Sequence, residues 1–168
     1  MKKLTLIMLA IVSTLTAFSQ DKNIVDVASS SKDFTTLVAA LEAADLVTTL
    51  QGEGPFTVFA PTNDAFNKLP EGTVASLLLP ENKQQLAKIL TYHVVSGNLD
   101  ASAVVAAIKK GKGKAVLTTV SGGTLTATLE KDKVKLTSDS GNYAYVIQTD
   151  LKASNGVIHV IDSVLLPK

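Results

Sequence analysis

The chain has 168 residues, a formal net charge of +1, and neither cysteine nor arginine. The lack of cysteine excludes disulfides, a thiol nucleophile and a lipid-modified cysteine. Near-neutral charge without arginine disfavours nucleic acid as a partner, because that partner demands a concentrated positive surface. Residues 109–114 form a basic cluster, which we interpret as a solvated loop, with an anion site as the alternative.

The first 20 residues have the pattern of a secretory signal peptide. Two lysines precede an apolar run over residues 4–17, which is shorter than the roughly 20 apolar residues that span a bilayer. We therefore expect cleavage near Ser19 or Gln20 and no membrane insertion of the mature chain. Residues 21–168 are predicted to form one secreted or periplasmic domain.

The first two-thirds of the chain have the apolar spacing of helices. Phe34, Leu37, Val38 and Leu41 would share one helical face. Further helices are predicted in the following places: residues 23–31, 46–50 and 73–79, a segment that starts at Pro80, and residues 101–109. Extended chain is predicted from Tyr92 to Val95.

From Ala115 the apolar period changes from 3.6 to 2. Strands are predicted over residues 116–120, 124–130, 133–137, 143–148 and 157–165. Ser121-Gly-Gly123 and Lys131-Asp132 have the composition of hairpin turns. Helices followed by strands predict an α+β fold with largely antiparallel pairing.

Residues 54–66, with the sequence GPFTVFAPTNDAF, change character twice. A short buried strand is predicted from Phe56, and a proline ends it. Thr62 and Asp64 are suited to capping a helix that contains Phe66, because side-chain oxygens there can accept its free N–H groups. We interpret this segment as a strand-to-helix corner.

Residues 155–162, with the sequence NGVIHVID, predict a buried strand that Gly156 begins. His159 has apolar neighbours on both sides, and we interpret it as a core histidine whose ring nitrogens have hydrogen-bond partners. Asn155 and Asp162 are expected to fix the turns at the two ends of the strand.

In chain order, residues 54–66, Tyr92-His93 and residues 155–162 resemble the first signature, the tyrosine–histidine motif and the second signature of the fasciclin (FAS1) domain family. The resemblance covers nearly all of the chain after residue 20. It implies a wedge of two packed sheets with short helices around it. It also implies adhesion or binding in the extracellular matrix rather than catalysis.

Tyr92-His93 has two interpretations. The structural one has the Tyr92 ring packed inward and His93 tying a helix end to the neighbouring corner. In the functional one, a partner-binding patch is formed by Leu90, Tyr92, His93, Val94 and Val95, which the resemblance supports because this motif is implicated in integrin binding in animal members of the family.

Nothing in the sequence indicates chemistry. The two histidines are far apart, and no nucleophile elbow or calcium loop is present. We expect neither an enzyme, nor a metal site, nor a cofactor. The leading expectation is a binding module for an extracellular or cell-surface protein or polysaccharide.

Two alternatives remain open at this point. One is a structural component that self-associates and forms a homo-oligomer through an edge strand. Lys131, Lys133 and Lys135 would discourage such pairing. The other is an enzyme or small-molecule carrier, which predicts a deep pocket beside His93 or His159.

Overall fold

The computed structural model describes residues 22–168, so the expected signal peptide and its cleavage site lie outside the described residues. The helices have the following bounds: α1 Ile24–Ser29, α2 Thr35–Ala43, α3 Val47–Gln51, α4 Asn63–Asn67, α5 Thr73–Leu77, α6 Lys83–Tyr92 and α7 Ala101–Lys110. Short 3₁₀ turns precede α2 and α6, at Lys32–Phe34 and Pro80–Asn82. Side-chain caps explain several helix starts: Asn23 accepts from two N–H groups of α1, and Asp100 accepts from Ala103 N of α7 at 2.7 Å.

The strands have the following bounds: β1 Phe56–Pro61, β2 Val94–Ser96, β3 Lys114–Thr118, β4 Thr124–Glu130, β5 Lys133–Ser138, β6 Tyr143–Ala153 and β7 Gly156–Ile161. They form one hydrogen-bonded array in the order β2-β1-β7-β6-β5-β4-β3. Five of the six pairings are antiparallel, and β1 with β7 is parallel. The predicted α+β class with mostly antiparallel pairing is confirmed.

The long strand β6 joins the two halves of the array. These halves correspond to the two packed sheets that the family resemblance implied. The first part of β6 pairs with β5 and its second part pairs with β7. Register shifts between Val146 and Leu151 mark the irregular stretch between these parts. The array also curls, because Val95 of β2 bridges Thr119 just after β3. Its two end strands therefore meet, and the halves face each other.

Two apolar cores lie on opposite sides of β1 and β7. One core lies under helices α1 to α6 and contains Val58 and Ile158. The other lies between the two halves of the array and contains Phe59 and Ile161. Strands buried on both faces need continuous apolar runs, which explains the sequences FTVFA and GVIHVI.

The half made of β3 to β6 buries one face. Along β3 buried and exposed residues alternate strictly, and β4 follows the same period until Leu129. The inward residues Leu125 and Leu136 are fully buried. The opposite side chains form a surface that stays in contact with solvent.

Several predicted boundaries differ from the observed ones, and three of these differences are the most informative. Tyr92 is the last residue of α6 and His93 caps that helix, so extended chain starts only at Val94. Strand β6 continues to Ala153, five residues beyond the prediction, because its far end pairs with β7. Strand β7 ends at Ile161, before Leu165, which enters the core from the following segment.

Candidate functional site

Glycines in the two signature segments allow β1 and β7 to meet. Phe56 N donates to Asn155 O at 3.0 Å at the start of the parallel pairing. A Cβ atom at Gly156 would lie 2.0 Å from Phe56 O, and one at Gly54 would lie 2.0 Å from Asn155 O. Both positions therefore require glycine for close backbone approach.

Asn155 joins three segments through its side chain. Its Oδ1 accepts from Ile24 N at 3.0 Å, and its Nδ2 donates to Leu50 O at 2.7 Å and to Gly52 O at 2.9 Å. The amide thereby ties α1 and the end of α3 to the start of β7. Asn155 was expected only to fix a turn, and these long-range hydrogen bonds give it a further structural role.

Thr62 and Asn63 hold the strand-to-helix corner. Thr62 Oγ1 accepts from Ala65 N at 3.2 Å, as a helix cap does. Asn63 Oδ1 accepts from Thr36 N at 3.0 Å and so fixes the corner to α2. Phe66 is buried in the helix-covered core, whereas Asp64 is exposed in the first turn of α4.

Asp162 fixes the end of β7 against β6. Its Oδ1 accepts from Tyr145 N at 2.8 Å, and its own N–H donates to Tyr145 O at 3.1 Å. Lys68 Nζ donates to the Asp162 carbonyl oxygen at 2.6 Å. These contacts are those of a structural residue.

His93 is 2% exposed and both its ring nitrogens contact backbone. Nδ1 lies 2.8 Å from Ile89 O, and Nε2 accepts from Leu165 N at 2.9 Å. Burial lowers the pKa of His93 to about 4, although the bond to Ile89 acts in the opposite direction. The ring links the end of α6 to the segment after β7.

Tyr92 is fully buried and joins α6 to the opposite half of the array. Its hydroxyl donates to Thr124 O at 2.6 Å and accepts from Asp139 N at 2.9 Å. Burial is the largest cause that raises the pKa of Tyr92. A Cβ atom at Gly123 would lie 2.4 Å from the Tyr92 ring, so the adjoining hairpin turn packs directly against it.

The expected Tyr92-His93 patch requires exposed side chains, and the structure shows that they are buried. None of its five residues is more than 4% exposed: Leu90, Tyr92, His93, Val94 and Val95. A preformed contact surface needs accessible side chains. The contacts of this group favour its structural interpretation.

His159 is also 2% exposed, and its ring stacks on Phe59 with centroids 5.7 Å apart. Its Nε2 lies 2.6 Å from Leu99 O, and its Nδ1 accepts from Asp150 N at 3.4 Å. One nitrogen donates and the other accepts, so both have backbone partners. This agrees with the interpretation of a core histidine.

Pockets beside the two histidines offer little room for a ligand. The cavities that touch His93 and His159 each have a volume of about 10 Å³, and the larger hollows are open surface grooves. Over residues 22–168 no group of three or more acidic or histidine side chains could hold a metal ion. The helices there reach at most ten residues, and none is long and apolar enough to cross a membrane.

The outward side chains of β3 to β6 form a surface that sequence analysis missed. We call it the outer face, and it consists of two rows across the strands: Val116, Thr126, Thr137 and Tyr143, and beside them Lys114, Thr128, Lys135 and Tyr145. Val116 is 63% exposed and Tyr143 is 53% exposed. The ammonium of Lys135 lies 4.4 Å from the Tyr143 ring centroid and 3.1 Å from Glu130 Oε2.

A signal for this face was present in the sequence. Threonine, lysine or tyrosine occupies every second position over residues 124–128, 133–137 and 143–145, opposite an apolar set. Lys133 and Lys135 were expected to guard an edge strand, but β5 lies between β4 and β6. Their side chains belong to a sheet face.

Comparison with known proteins identifies the family of this chain. A family model for the Fasciclin domain matches residues 32–167. Protein sll1483 of Synechocystis is 56% identical over 86% of this chain and 73% of its own length. Transforming growth factor-beta-induced protein ig-h3 of Sus scrofa is 36% identical over 86% of this chain, which is 19% of that longer protein.

A solved structure shows the same fold. It is a FAS1 domain pair from the insect cell adhesion molecule Fasciclin I, with a TM-score of 0.62 and 22% identity. The match covers 77% of this chain and 43% of that chain. With the family match over residues 32–167, it follows that this chain belongs to the Fasciclin domain family.

Proposed function

We propose that this protein is a non-catalytic binding module of the adhesion type, which recognises an extracellular protein or polysaccharide through its outer face. The exposure of Val116 and Tyr143 carries this proposal, because large apolar and aromatic side chains in contact with solvent are available to a partner. The solved relative named a cell adhesion molecule supports the adhesion class. The backbone partners of both histidines support a non-catalytic role, since neither ring is free to act as a base.

Export of the domain is part of the same proposal. The signal-peptide pattern in the first 20 residues supports it, and cleavage near Ser19 or Gln20 would leave residues 21–168 as the mature domain. The mass of the protein recovered outside the cytoplasm tests this. A mass that includes residues 1–20 would contradict it.

Retention of cell-surface material on the immobilised protein tests the binding function. Extract from the source cells is passed over the protein untreated, after protease, or after periodate, which destroys sugar rings. We expect the double substitution Val116→Thr and Tyr143→Thr to reduce retention. Leu79→Gln is the matched control, because Leu79 is 45% exposed and follows α5, away from the sheet.

The outcomes separate the possibilities. Loss after protease indicates a protein partner, and loss after periodate indicates a polysaccharide. If the double variant retains as much material as the parent, the outer face is not the binding surface. If the parent retains nothing, the binding function is contradicted.

The self-associating alternative has less support. Pairing through an edge would need a free end strand, but Val120 N donates to Val94 O at 2.8 Å where the two ends of the array meet. Sedimentation of the purified protein over a range of concentrations tests it. A sedimentation coefficient that rises with concentration would favour assembly.

A further inference from the structure

Positive charge is concentrated in one part of the described chain. Seven of the 14 lysines in residues 22–168 lie between Lys109 and Lys135, with Glu130 and Asp132 as the acidic residues there. That segment has a formal charge of +5. The remaining described residues contain seven lysines and 12 acidic residues, a charge of −5. The near-neutral total therefore conceals a strong asymmetry.

Strand pairing brings separate lysines of this segment to one surface. Lys114 pairs with Thr128 of β4, and Thr128 pairs with Lys135 of β5, so the two lysine Cα atoms are two strand spacings apart, about 10 Å. Lys133 pairs with Glu130 at the end of the same strands. Alternate residues of a strand share a face, so the three lysines project from the outer face.

Aromatic rings adjoin these lysines. Tyr145 pairs with Lys135 across β5 and β6, and the rings of Tyr143 and Tyr145 meet edge to face with centroids 5.7 Å apart. The Lys135 ammonium lies over both rings, 4.4 Å and 5.9 Å from their centroids. Lysine charge, tyrosine rings and threonine hydroxyls thus occupy neighbouring positions on one face of the sheet.

This combination fits a chain of charged sugars better than the other anionic partners. Ammonium groups attract carboxylate or sulfate, tyrosine rings offer an apolar surface to sugar C–H groups, and threonine hydroxyls bond sugar hydroxyls. The centre of a protein–protein interface is usually depleted of lysine, whereas three lysines lie close together on this face. The chain lacks arginine, the side chain with the planar fork that suits nucleic-acid phosphates.

We propose that the basic end of the outer face, formed by Lys114, Lys133 and Lys135 beside Tyr143 and Tyr145, binds an acidic polysaccharide, whose sugar rings carry carboxylate or sulfate groups. This inference rests on the proposed function, because it names the ligand class of that same surface. Glu130 holds the Lys135 ammonium in place and also competes with the ligand for it.

Binding of the purified protein to polygalacturonate and to dextran sulfate tests the inference, with neutral dextran as the uncharged probe. The double variant Lys114→Gln and Lys133→Gln should bind both acidic probes about tenfold more weakly. The matched control is Lys22→Gln with Lys152→Gln, two exposed lysines outside the basic segment, and it should change affinity less than about twofold. Unfolding midpoints are compared first, so that only folded variants are interpreted.

Two single variants sharpen the result. Glu130→Gln should tighten binding about threefold, because it frees the Lys135 ammonium and removes a repelling carboxylate. Tyr143→Ala should weaken binding to polygalacturonate about threefold or more, because a sugar ring loses its stacking surface. Binding of all acidic probes should weaken as salt is raised.

Several outcomes would overturn the inference. Equal binding of polyglutamate would point to an acidic protein, and equal binding of single-stranded DNA would point to nucleic acid. Equal losses in the two double variants would mean that net charge alone matters. Retention of cell-surface material without binding to either acidic probe would overturn this inference and leave the proposed function standing.

Discussion

The two halves of the sheet array differ in what covers them. β1 and β7 are buried on both faces, between the helices and the opposite half, and they contain the signature segments. β3 to β6 bury one face and expose lysine, threonine and tyrosine on the other. The residues that identify the family therefore hold the scaffold. The outer face, which we propose as the binding surface, lies where the chain has no signature.

Substitution of Gly156 tests this comparison and is expected to cause the largest loss of stability. A Cβ atom there would lie 2.0 Å from Phe56 O and 2.9 Å from Ile24 Cδ1, so Gly156→Ala should force β1 and β7 apart. We expect the free energy of unfolding to fall by more than about 3 kcal/mol. Urea denaturation monitored by circular dichroism measures it.

Gly141→Ala is the control for this change. Gly141 has φ +88° and no atom within 4 Å of the place that an alanine methyl group would occupy, so alanine there adds backbone strain without a clash. We expect a loss of about 1 kcal/mol. Equal losses of stability in the two variants would show that Gly156 is not required for the close contact between β1 and β7.

Much of the fold could be predicted because its signals are local. The cap at Thr62, the turns around Gly122 and Lys131, and the change of period after Ala115 each depend on residues close in sequence. The parallel pairing of β1 with β7 joins residues about 100 positions apart in the chain, and no local pattern predicts it. The resemblance to a family implied two packed sheets, but it did not predict this parallel pairing.

The outer face was not predictable for a related reason. Lys114 and Lys135 become neighbours only through the register of three strands, which the sequence does not specify. Tyr92-His93 could be read in two ways because a buried and an exposed tyrosine look alike in sequence. Its partners, Thr124 and Asp139, lie more than 30 residues away.

Asn155→Ala is expected to have the next largest effect. It removes three hydrogen bonds and leaves the buried Ile24 N–H and Leu50 carbonyl without their amide partner. We expect a loss of about 2–3 kcal/mol in the free energy of unfolding. The exposed Asn142→Ala should stay within about 0.5 kcal/mol of the parent. Similar values for both would mean that Asn155 does not tie the signature strand to the helices.

The buried His93 predicts a pH dependence. Its pKa is about 4 in the folded protein and about 6.5 when unfolded, so the unfolded chain binds a proton that the folded protein does not. The free energy of unfolding should therefore fall as the pH falls through 6.5 towards 4. From pH 7 to pH 5 this group should contribute a decrease of about 2 kcal/mol.

His93→Gln separates this effect from other titrations. Glutamine has no proton to gain, so the part of the decrease between pH 7 and pH 5 that His93 causes should vanish, even though the variant starts less stable. Urea denaturation at several pH values gives both slopes. An unchanged slope would mean that water reaches the ring in the folded protein, contrary to its 2% exposure.

The smallest expected effect comes from removing a tyrosine hydroxyl, and the same change can be made in each of the two regions. Tyr92→Phe removes a hydroxyl with two backbone partners, whose N–H and carbonyl groups then lose their bonds, and should cost about 1.5 kcal/mol. Tyr143→Phe removes a hydroxyl from a ring that is 53% exposed, and should change the free energy of unfolding by less than about 0.5 kcal/mol. Both variants keep the ring, so hydrophobic burial is unchanged and the difference isolates the hydrogen bonds. Equal effects would mean that the Tyr92 hydroxyl reaches solvent. The division into a buried scaffold region and an exposed outer face would then fail at the residue that links the two halves.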